Sequence, residues 1–143
     1  MGKKRIIKKS GHEVGAGKKR ASSKVSRKKM EKGILHIMAT YNNTNILLSD
    51  LAGNAVLSSS SGSLGFKGSK KGTPYAAGKA GEELADKAGA LGLKEVDVVI
   101  KGVGSGRESA IRSFITKGIN ISSIRDKTPI PFNGPKPKKP RRV

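Results

Sequence analysis

The sequence contains no cysteine and no tryptophan, and it has only two tyrosines and three phenylalanines among its 143 residues. The absence of cysteine excludes a disulfide framework and a thiolate metal site. The aromatic residues are scattered along the chain, so no cluster of them offers the stacking platform on which many RNA-binding proteins hold single-stranded bases. We therefore expect any bound nucleic acid to be recognised through phosphate, ribose and shape.

Long apolar runs are missing as well, and no segment of the sequence is suited to span a bilayer. The basic N-terminus is not followed by the apolar core of a signal peptide. The first residues, "MGKKRI", lack the Ser or Thr that a myristoylation signal has at its sixth position. We therefore expect a cytoplasmic protein with no membrane partner.

Acidic residues are scarce, because the chain has 30 Lys and Arg against 10 Asp and Glu, for a formal net charge of +20. Such self-repulsion is relieved by a polyanion, of which nucleic acid is the commonest. The excess lies at the two ends: residues 1–32 carry thirteen basic and two acidic residues, and residues 133–143 carry five basic residues and no acidic one. The middle, residues 33–132, is nearly balanced, with twelve basic and eight acidic residues.

The two basic ends have few apolar residues, so burial cannot offset the entropy of ordering them. We expect them to be arms that are disordered when free. A solubility tail or a nuclear-import signal is the alternative for either arm alone. Two basic arms flanking one compact domain favour nucleic acid.

Residues 33–132 have the pattern of a single α/β domain. The order of periodic segments is βββαβαβ, with strands at about 33–41, 45–51, 55–61, 95–101 and 119–124 and helices at about 74–91 and 106–117. This order predicts a mixed five-stranded sheet with two helices. Both faces of the first strand, "GILHIMATY", are largely apolar, which predicts that it lies at the centre of the sheet.

Cap residues mark the start of each predicted helix. Thr73 is suited to cap the first helix, with Pro74 at the first helical position, where its missing N–H costs nothing. Ser105 and Glu108 have the spacing of a capping box at the start of the second helix.

The stretch "KGVGSGRES", residues 101–109, lies between a predicted strand and a predicted helix, where phosphate-binding loops are found. It matches neither nucleotide-binding template, because Arg107 stands where the dinucleotide pattern needs glycine and the Walker Gly-Lys-Ser/Thr is absent. A helix N-terminus beside Arg107 still predicts a site for one backbone phosphate. The alternative is that these glycines only make a tight turn.

An enzyme would need a catalytic constellation, and the sequence has no evident one. Asp50, Asp97 and Asp126 lie on or beside predicted strands and could hold magnesium, but their spacing forms no motif, and exposed acids are the simpler interpretation. His36 lies on a buried strand and is interpreted as a satisfied core histidine. We therefore expect no catalytic residues, no metal site and no cofactor.

Several long segments together resemble a known family. They are "HIMATYNNTNILLSDLAGNA", "GFKGSKKGTPYAA", "IKGVGSGRESAIR" and "IRDKTPIPFNGPKPKKPRRV", in that order, and residues 33–143 as a whole resemble bacterial-type small-subunit ribosomal protein eleven. The resemblance implies a ribonuclease-H-like fold without catalytic use and binding to small-subunit rRNA in the ribosomal platform. It also implies contacts with neighbouring platform proteins, a place near the cleft where mRNA pairs with the rRNA 3′ end, and no homo-oligomer.

The same resemblance implies which residues contact RNA. They form an "NNT" turn, a basic loop, a Gly-Arg-Glu helix start and a C-terminal tail, and comprise Asn42, Asn43, Thr44, Lys67, Ser69, Lys70, Lys71, Gly104, Arg107, Arg112, Asn133, Lys136, Lys138, Lys139, Arg141 and Arg142. The sequence departs from the family pattern at Val103, Lys127 and Phe132, where proline, valine and histidine are usual. Its third strand, "VLSSSS", also lacks a common aromatic, but none of these departures removes a needed charge.

Two rival classes remain at this stage. A DNA-compacting, histone-like protein would have similar arms, but it would usually bring a dimer-forming helix pair or a β-ribbon arm, and neither is evident. A phosphate-handling enzyme is the second rival. Co-sedimentation with small ribosomal subunits, retained at moderate salt, separates both from a ribosomal protein.

Overall fold

A computed structural model describes residues 29–140. The elements follow the predicted order, with strands β1 (Lys32–Ala39), β2 (Thr44–Ser49), β3 (Ala55–Ser60), β4 (Glu95–Lys101) and β5 (Asn120–Asp126) and helices α1 (Pro74–Ala90) and α2 (Gly106–Thr116). A short 3-10 helix, Gly68–Gly72, precedes α1. No helix among the described residues is long and apolar enough to cross a membrane.

The five strands form one sheet in the order β3-β2-β1-β4-β5. Strand β1 pairs antiparallel with β2 and parallel with β4, while β2–β3 is antiparallel and β4–β5 is parallel. The predicted mixed five-stranded α/β fold is therefore confirmed. The central position of β1 is confirmed as well, because it has a hydrogen-bonded neighbour on each side.

The hydrophobic core lies between the sheet and the two helices, which pack against each other on one face. Strand β1 contributes Leu35, Ile37 and Ala39 to this core, and α2 contributes the fully buried Phe114. The alternate residues of β1 point to the opposite face, where Met38 is 48% exposed. Only one of the two apolar faces predicted for β1 is therefore covered by helices within the described residues.

Small residues let the two helices approach closely. The hydroxyl of Ser113 in α2 donates to the carbonyl oxygen of Gly78 in α1 at 2.9 Å. A Cβ added to Gly81 would lie 2.9 Å from the Cβ of Ser113, which is closer than side chains can pack. The alanines and glycines of α1 thus bring α2 near enough to share one core with the sheet.

One of the two predicted helix caps is confirmed and the other is wrong. The hydroxyl of Thr73 accepts a hydrogen bond from the N–H of Ala76 at 3.3 Å, as expected for an N-cap. Ser105 has a helical backbone and makes no cap bond, because its hydroxyl donates instead to the carbonyl of Gly72 at 2.9 Å. The predicted capping box with Glu108 is therefore replaced by a contact between two loops.

The predicted arms lie mostly beyond or at the margin of the described residues. Residues 1–28 of the N-terminal arm and Arg141 and Arg142 of the tail lie outside them. Residues 133–140 of the tail are exposed and contain neither helix nor strand.

The close contact between the helices predicts opposite effects for two glycine substitutions in α1. Gly81→Ala should lower the free energy of unfolding by about 1 kcal/mol, because the new methyl overpacks against Ser113. Gly89→Ala should raise it by about 0.5–1 kcal/mol, because no atom lies within 4 Å of its added Cβ and alanine favours a helix. Urea denaturation of the two variants measures both, and an equal gain in both would contradict the packing described here.

Candidate nucleic-acid interface

Seven of the sixteen predicted RNA-binding residues lie in loops that meet at one end of the sheet. Four segments lie there, which we call the loop end: the β1–β2 turn (40–43), the loop before α1 (61–73), the glycine loop (102–105) and the two residues that follow β5 (127–128). The segments contact one another directly. The Ser105 hydroxyl reaches Gly72, and a Cβ on Gly72 would collide with the carbonyl oxygen of Tyr41.

The "NNT" turn is held by its own hydrogen bonds. The N–H of Asn43 donates to the Thr40 hydroxyl at 3.1 Å, and the Asn43 carbonyl accepts from the Thr40 N–H at 2.9 Å. The Asn43 side chain accepts from the N–H of Gly62 at 3.3 Å, which joins this turn to the next loop. Asn42 is exposed.

Thr44 does not share this surface. The side chain of Thr44 is fully buried. It lies against Gly106, and a Cβ added to Gly106 would collide with the Thr44 hydroxyl. Close packing on α2 thus removes the Thr44 side chain from solvent, and its predicted contact with RNA stays a prediction.

The basic loop presents its cations outward. Lys67, Ser69 and Lys70 are exposed, and Lys71 is half-buried. The ring of Phe66 meets the ring of Tyr75 edge to face, with 6.1 Å between ring centroids, and this contact joins the loop to the first turn of α1. The loop therefore has a fixed base and solvated lysine side chains.

The glycine loop is packed against the end of β1. A Cβ on Gly102 would collide with the carbonyl oxygen of Ala39, and one on Gly104 would collide with that of Thr40. The N–H of Gly104 donates to the Ala39 carbonyl at 3.0 Å, and the N–H of Gly102 donates to the Thr128 hydroxyl at 3.2 Å. The alternating glycines thus serve close packing, and two of their N–H groups already have partners within the chain.

Arg107 is bound to the protein itself. Its guanidinium donates to the carbonyl of Gly102 at 2.9 Å and forms an ion pair with Asp126 at the end of β5. The Asp126 carboxylate also accepts from the Thr128 N–H at 2.9 Å and from the Thr128 hydroxyl at 2.6 Å. These contacts, which we call the Arg107–Asp126 clamp, join the glycine loop, α2 and the residues that follow β5.

The clamp alters the acidity of its carboxyl group. The hydrogen bonds from the Thr128 hydroxyl and N–H, together with the one from Arg107, lower the pKa of Asp126 from 3.8 to about 2. Hydrogen bonds and a nearby cation both favour the charged carboxylate, so the clamp is intact at neutral pH.

Most cations of the loop end take no part in the ion pairs of the described residues. Seven pairs are formed: Lys32–Glu95, Lys79–Glu82, Lys87–Glu83, Lys94–Glu31, Arg107–Asp126, Arg112–Glu108 and Lys117–Asp86. Within residues 29–140 these pairs do not include Lys67, Lys70, Lys71, Lys101, Arg125, Lys127, Lys136, Lys138 or Lys139. Cations without a carboxylate are therefore concentrated at the loop end, on β5 and in the tail.

Arg112 and Asn133 lie apart from the contacts at the loop end. Arg112 is on the second turn of α2, with its side chain 80% exposed and 4.0 Å from Glu108. Asn133 has a left-handed backbone, with φ of 51°, and is exposed at the start of the tail. Both remain candidates for contact with RNA.

The carboxylates considered as magnesium ligands are engaged separately. Asp50 accepts from the backbone and side chain of Asn54, Asp97 accepts from Ser123, and Asp126 is in the clamp. Among the described residues no group of three His, Asp or Glu side chains could hold a metal ion.

Sequence reasoning missed several residues of the interface. Lys101 is the last residue of β4 and Lys127 directly follows β5, and neither is in an ion pair within residues 29–140. Tyr75 is 67% exposed, with the Lys79 ammonium 5.8 Å from its ring centroid. The signal that could have found Lys101 and Lys127 is their position at the carboxyl ends of parallel strands, which meet at one end of the sheet.

The clamp predicts that Arg107 is needed for stability. Arg107→Glu places a second carboxylate against Asp126 and removes the bond to Gly102, so the free energy of unfolding should fall by about 1 kcal/mol or more. Arg112→Glu makes the same change of charge where the side chain is 80% exposed, and its effect should stay within about 0.5 kcal/mol. Equal thermal midpoints for the two variants would show that the clamp contributes nothing.

The pKa of Asp126 predicts a dependence of stability on pH. Because that pKa is lower in the folded state than its ordinary value of 3.8, the clamp stabilises the fold above that pH and is lost as pH falls towards about 2. Asp126→Asn should therefore be less stable than the wild type at pH 6, and the difference should shrink across this window. The difference in unfolding free energy, measured at matched pH values, tests this, and a constant difference would be inconsistent with it.

Comparison with known proteins agrees with the resemblance drawn from the sequence. A model of the family described as Ribosomal protein S11 matches residues 33–142. The small ribosomal subunit protein uS11 of Solibacter usitatus (strain Ellin6076) is 51% identical over 130 residues, which cover 91% of this chain and 96% of the relative. The match extends across the sheet, both helices, the loop end and nearly all of the tail, and the chain therefore belongs to the ribosomal protein S11 family.

Proposed function

We propose that this chain is a structural, non-enzymatic constituent of the small ribosomal subunit that binds small-subunit rRNA. The observation that supports the proposal most directly is the concentration of cations without carboxylate partners at the loop end and in the tail. The relative from Solibacter usitatus is named as a protein of the small subunit, which supports the same assignment. Its place is then the ribosome, in the cytoplasm.

Phosphate is the group that this surface is suited to bind. The exposed ammonium groups of Lys67 and Lys70 are free to meet phosphate oxygens, while the backbone that carries them is fixed by neighbouring loops. Lysine binds phosphate as a point charge and reads no base sequence. Recognition therefore depends on the spacing of phosphates on a folded RNA, and hence on RNA shape.

The tail extends this surface. Its described residues, 133–140, are exposed, and a chain without helix or strand can follow a groove between RNA helices. The resemblance to the family supports a location in the platform, with neighbouring platform proteins as partners and the mRNA–rRNA pairing cleft close by. A DNA-compacting function lacks comparable support, since the five strands of the described residues form one sheet without a β-ribbon arm and the two helices pack on that sheet and on each other.

Binding that depends on phosphate predicts a steep response to salt. If about eight phosphates are neutralised, the logarithm of affinity for a platform rRNA fragment should fall with the logarithm of salt at a slope of about −5 or steeper. Neutralising Lys67, Lys70 and Lys71 together to Gln should reduce the size of that slope by about 2. Deleting residues 133–143 should reduce it further while leaving the thermal midpoint unchanged, because the tail buries little.

A matched control removes three ion-paired cations instead. Replacing Lys87, Lys94 and Lys117 by Gln makes the same change of net charge away from the loop end, where each lysine already has a carboxylate partner. This variant should keep a slope close to that of the wild type. Equal losses in both variants would mean that RNA responds to net charge alone, and tighter binding to duplex DNA than to the rRNA fragment would favour the histone-like alternative.

A further inference from the structure

The sheet has one face that no helix of the described residues covers. Both helices pack on the side that contains Leu35 and Ile37, and the strand registers place Leu47, His36 and Val99 side by side on the other side. We call this other side the open face. It runs across β2, β1 and β4 and lies next to the loop end.

The middle of the open face is apolar and concave. Met38, Leu47 and Val99 line a groove of about 560 Å³, and Met38 is 48% exposed. The wall on the β3 side contains Ser58 and Ser60, whose small side chains leave the groove open. A contiguous apolar groove on a soluble domain is typical of an interaction site.

His36 lies among Met38, Leu47 and Val99, which we call the apolar strip, and it adds no charge there. Its Nε2 is 3.1 Å from the hydroxyl of Ser49, so the ring has a polar partner. Burial, followed by the positive charges of Lys101 and Lys127, lowers the pKa of His36 below its ordinary value of 6.5. The ring is therefore neutral at neutral pH.

The border of the strip on the β4–β5 side is positively charged. Lys101, Arg125 and Lys127 lie there, and none of them is in an ion pair within residues 29–140. The carboxylate in the same place, Asp97, already accepts a hydrogen bond from the Ser123 hydroxyl at 2.6 Å. Three cations against this one carboxylate leave an excess of positive charge along this border for an occupant of the groove to meet.

RNA fits this face less well than it fits the loop end. The strip of Met38, Leu47 and Val99 offers no partner to a phosphate, and no aromatic side chain lines the groove for a base to stack on. A protein segment can bury apolar side chains in the groove and place carboxylates against the cations at its border.

We propose that the open face is a docking site for a segment of a neighbouring protein that presents apolar side chains flanked by Asp or Glu. The docking proposal rests on the proposed function, because that function places the neighbouring protein in the small ribosomal subunit. It assigns the protein partner to the open face and the RNA partner to the loop end and the tail, and the open face and the loop end meet at Lys101 and Lys127.

Site-specific photo-crosslinking in the full chain tests the proposal. A benzophenone amino acid replaces the exposed Ser58, inside the groove, or Lys87, on the outer side of α1, and small subunits are isolated before irradiation and peptide mapping. The expected adduct through Ser58 is to a protein segment that contains both apolar and acidic residues. Position 87 should give no adduct with that segment.

Charge reversal at the border is the second measurement. Adding Arg125→Glu to the Ser58 variant should lower the adduct yield by about tenfold, because like charges facing each other across an interface cost at least that factor. Lys94→Glu makes the same charge change at the opposite end of β4 and should leave the yield unchanged.

The outcomes separate this proposal from the proposed function. If the chain is absent from isolated small subunits, both the proposed function and the docking proposal are contradicted. A chain present in them overturns the docking proposal alone if the Ser58 adduct is to rRNA, to residues 1–28 of this chain, to a second copy or to nothing. A protein adduct that lacks acidic residues, or whose yield is insensitive to Arg125→Glu, overturns it as well.

Discussion

The carbonyl oxygens at the end of β1 set the distances on which the whole loop end depends. Those of Ala39, Thr40 and Tyr41 lie so close to Gly102, Gly104 and Gly72 that a Cβ on any of these glycines would collide with them. The loop before α1 and the glycine loop can therefore pack directly on the end of β1. With larger residues at those positions the two loops would move outward. The lysines of the loop before α1, the Arg107–Asp126 clamp and the residues that follow β5 would then no longer share one surface.

Periodic patterns predicted the fold well because they report burial directly. The order of elements, the central place of β1 and the cap at Thr73 follow from alternation and from the chemistry of single residues. The capping box at Ser105 failed because its hydroxyl has a partner 33 residues away in the chain, and no local pattern records such a contact. The burial of Thr44 was not evident from the sequence for the same reason, since it depends on the distant Gly106.

The sequence predicted which cations lie at the candidate site, but not which of them form ion pairs within the domain. Sequence alone grouped Arg107 with the lysines, because both kinds of side chain are cationic. The structure separates them, since Arg107 has Asp126 as a partner and Lys67, Lys70 and Lys71 have no carboxylate partner among the described residues. The positions of the carboxylates therefore decide the role of each cation. A cation beside a carboxylate stabilises the fold, and a cation without one is free to bind a polyanion.

The parallel pairing of β1 with β4 has a consequence for the order of events during synthesis. The central strand is made early, but its neighbour on one side, Glu95–Lys101, is made some sixty residues later, and a contact so distant in sequence forms late in folding. The basic segment before β1 therefore emerges while the sheet is still incomplete. A nascent chain presents that segment to nucleic acid first, and the folded loop end and the tail become available only after translation has nearly finished.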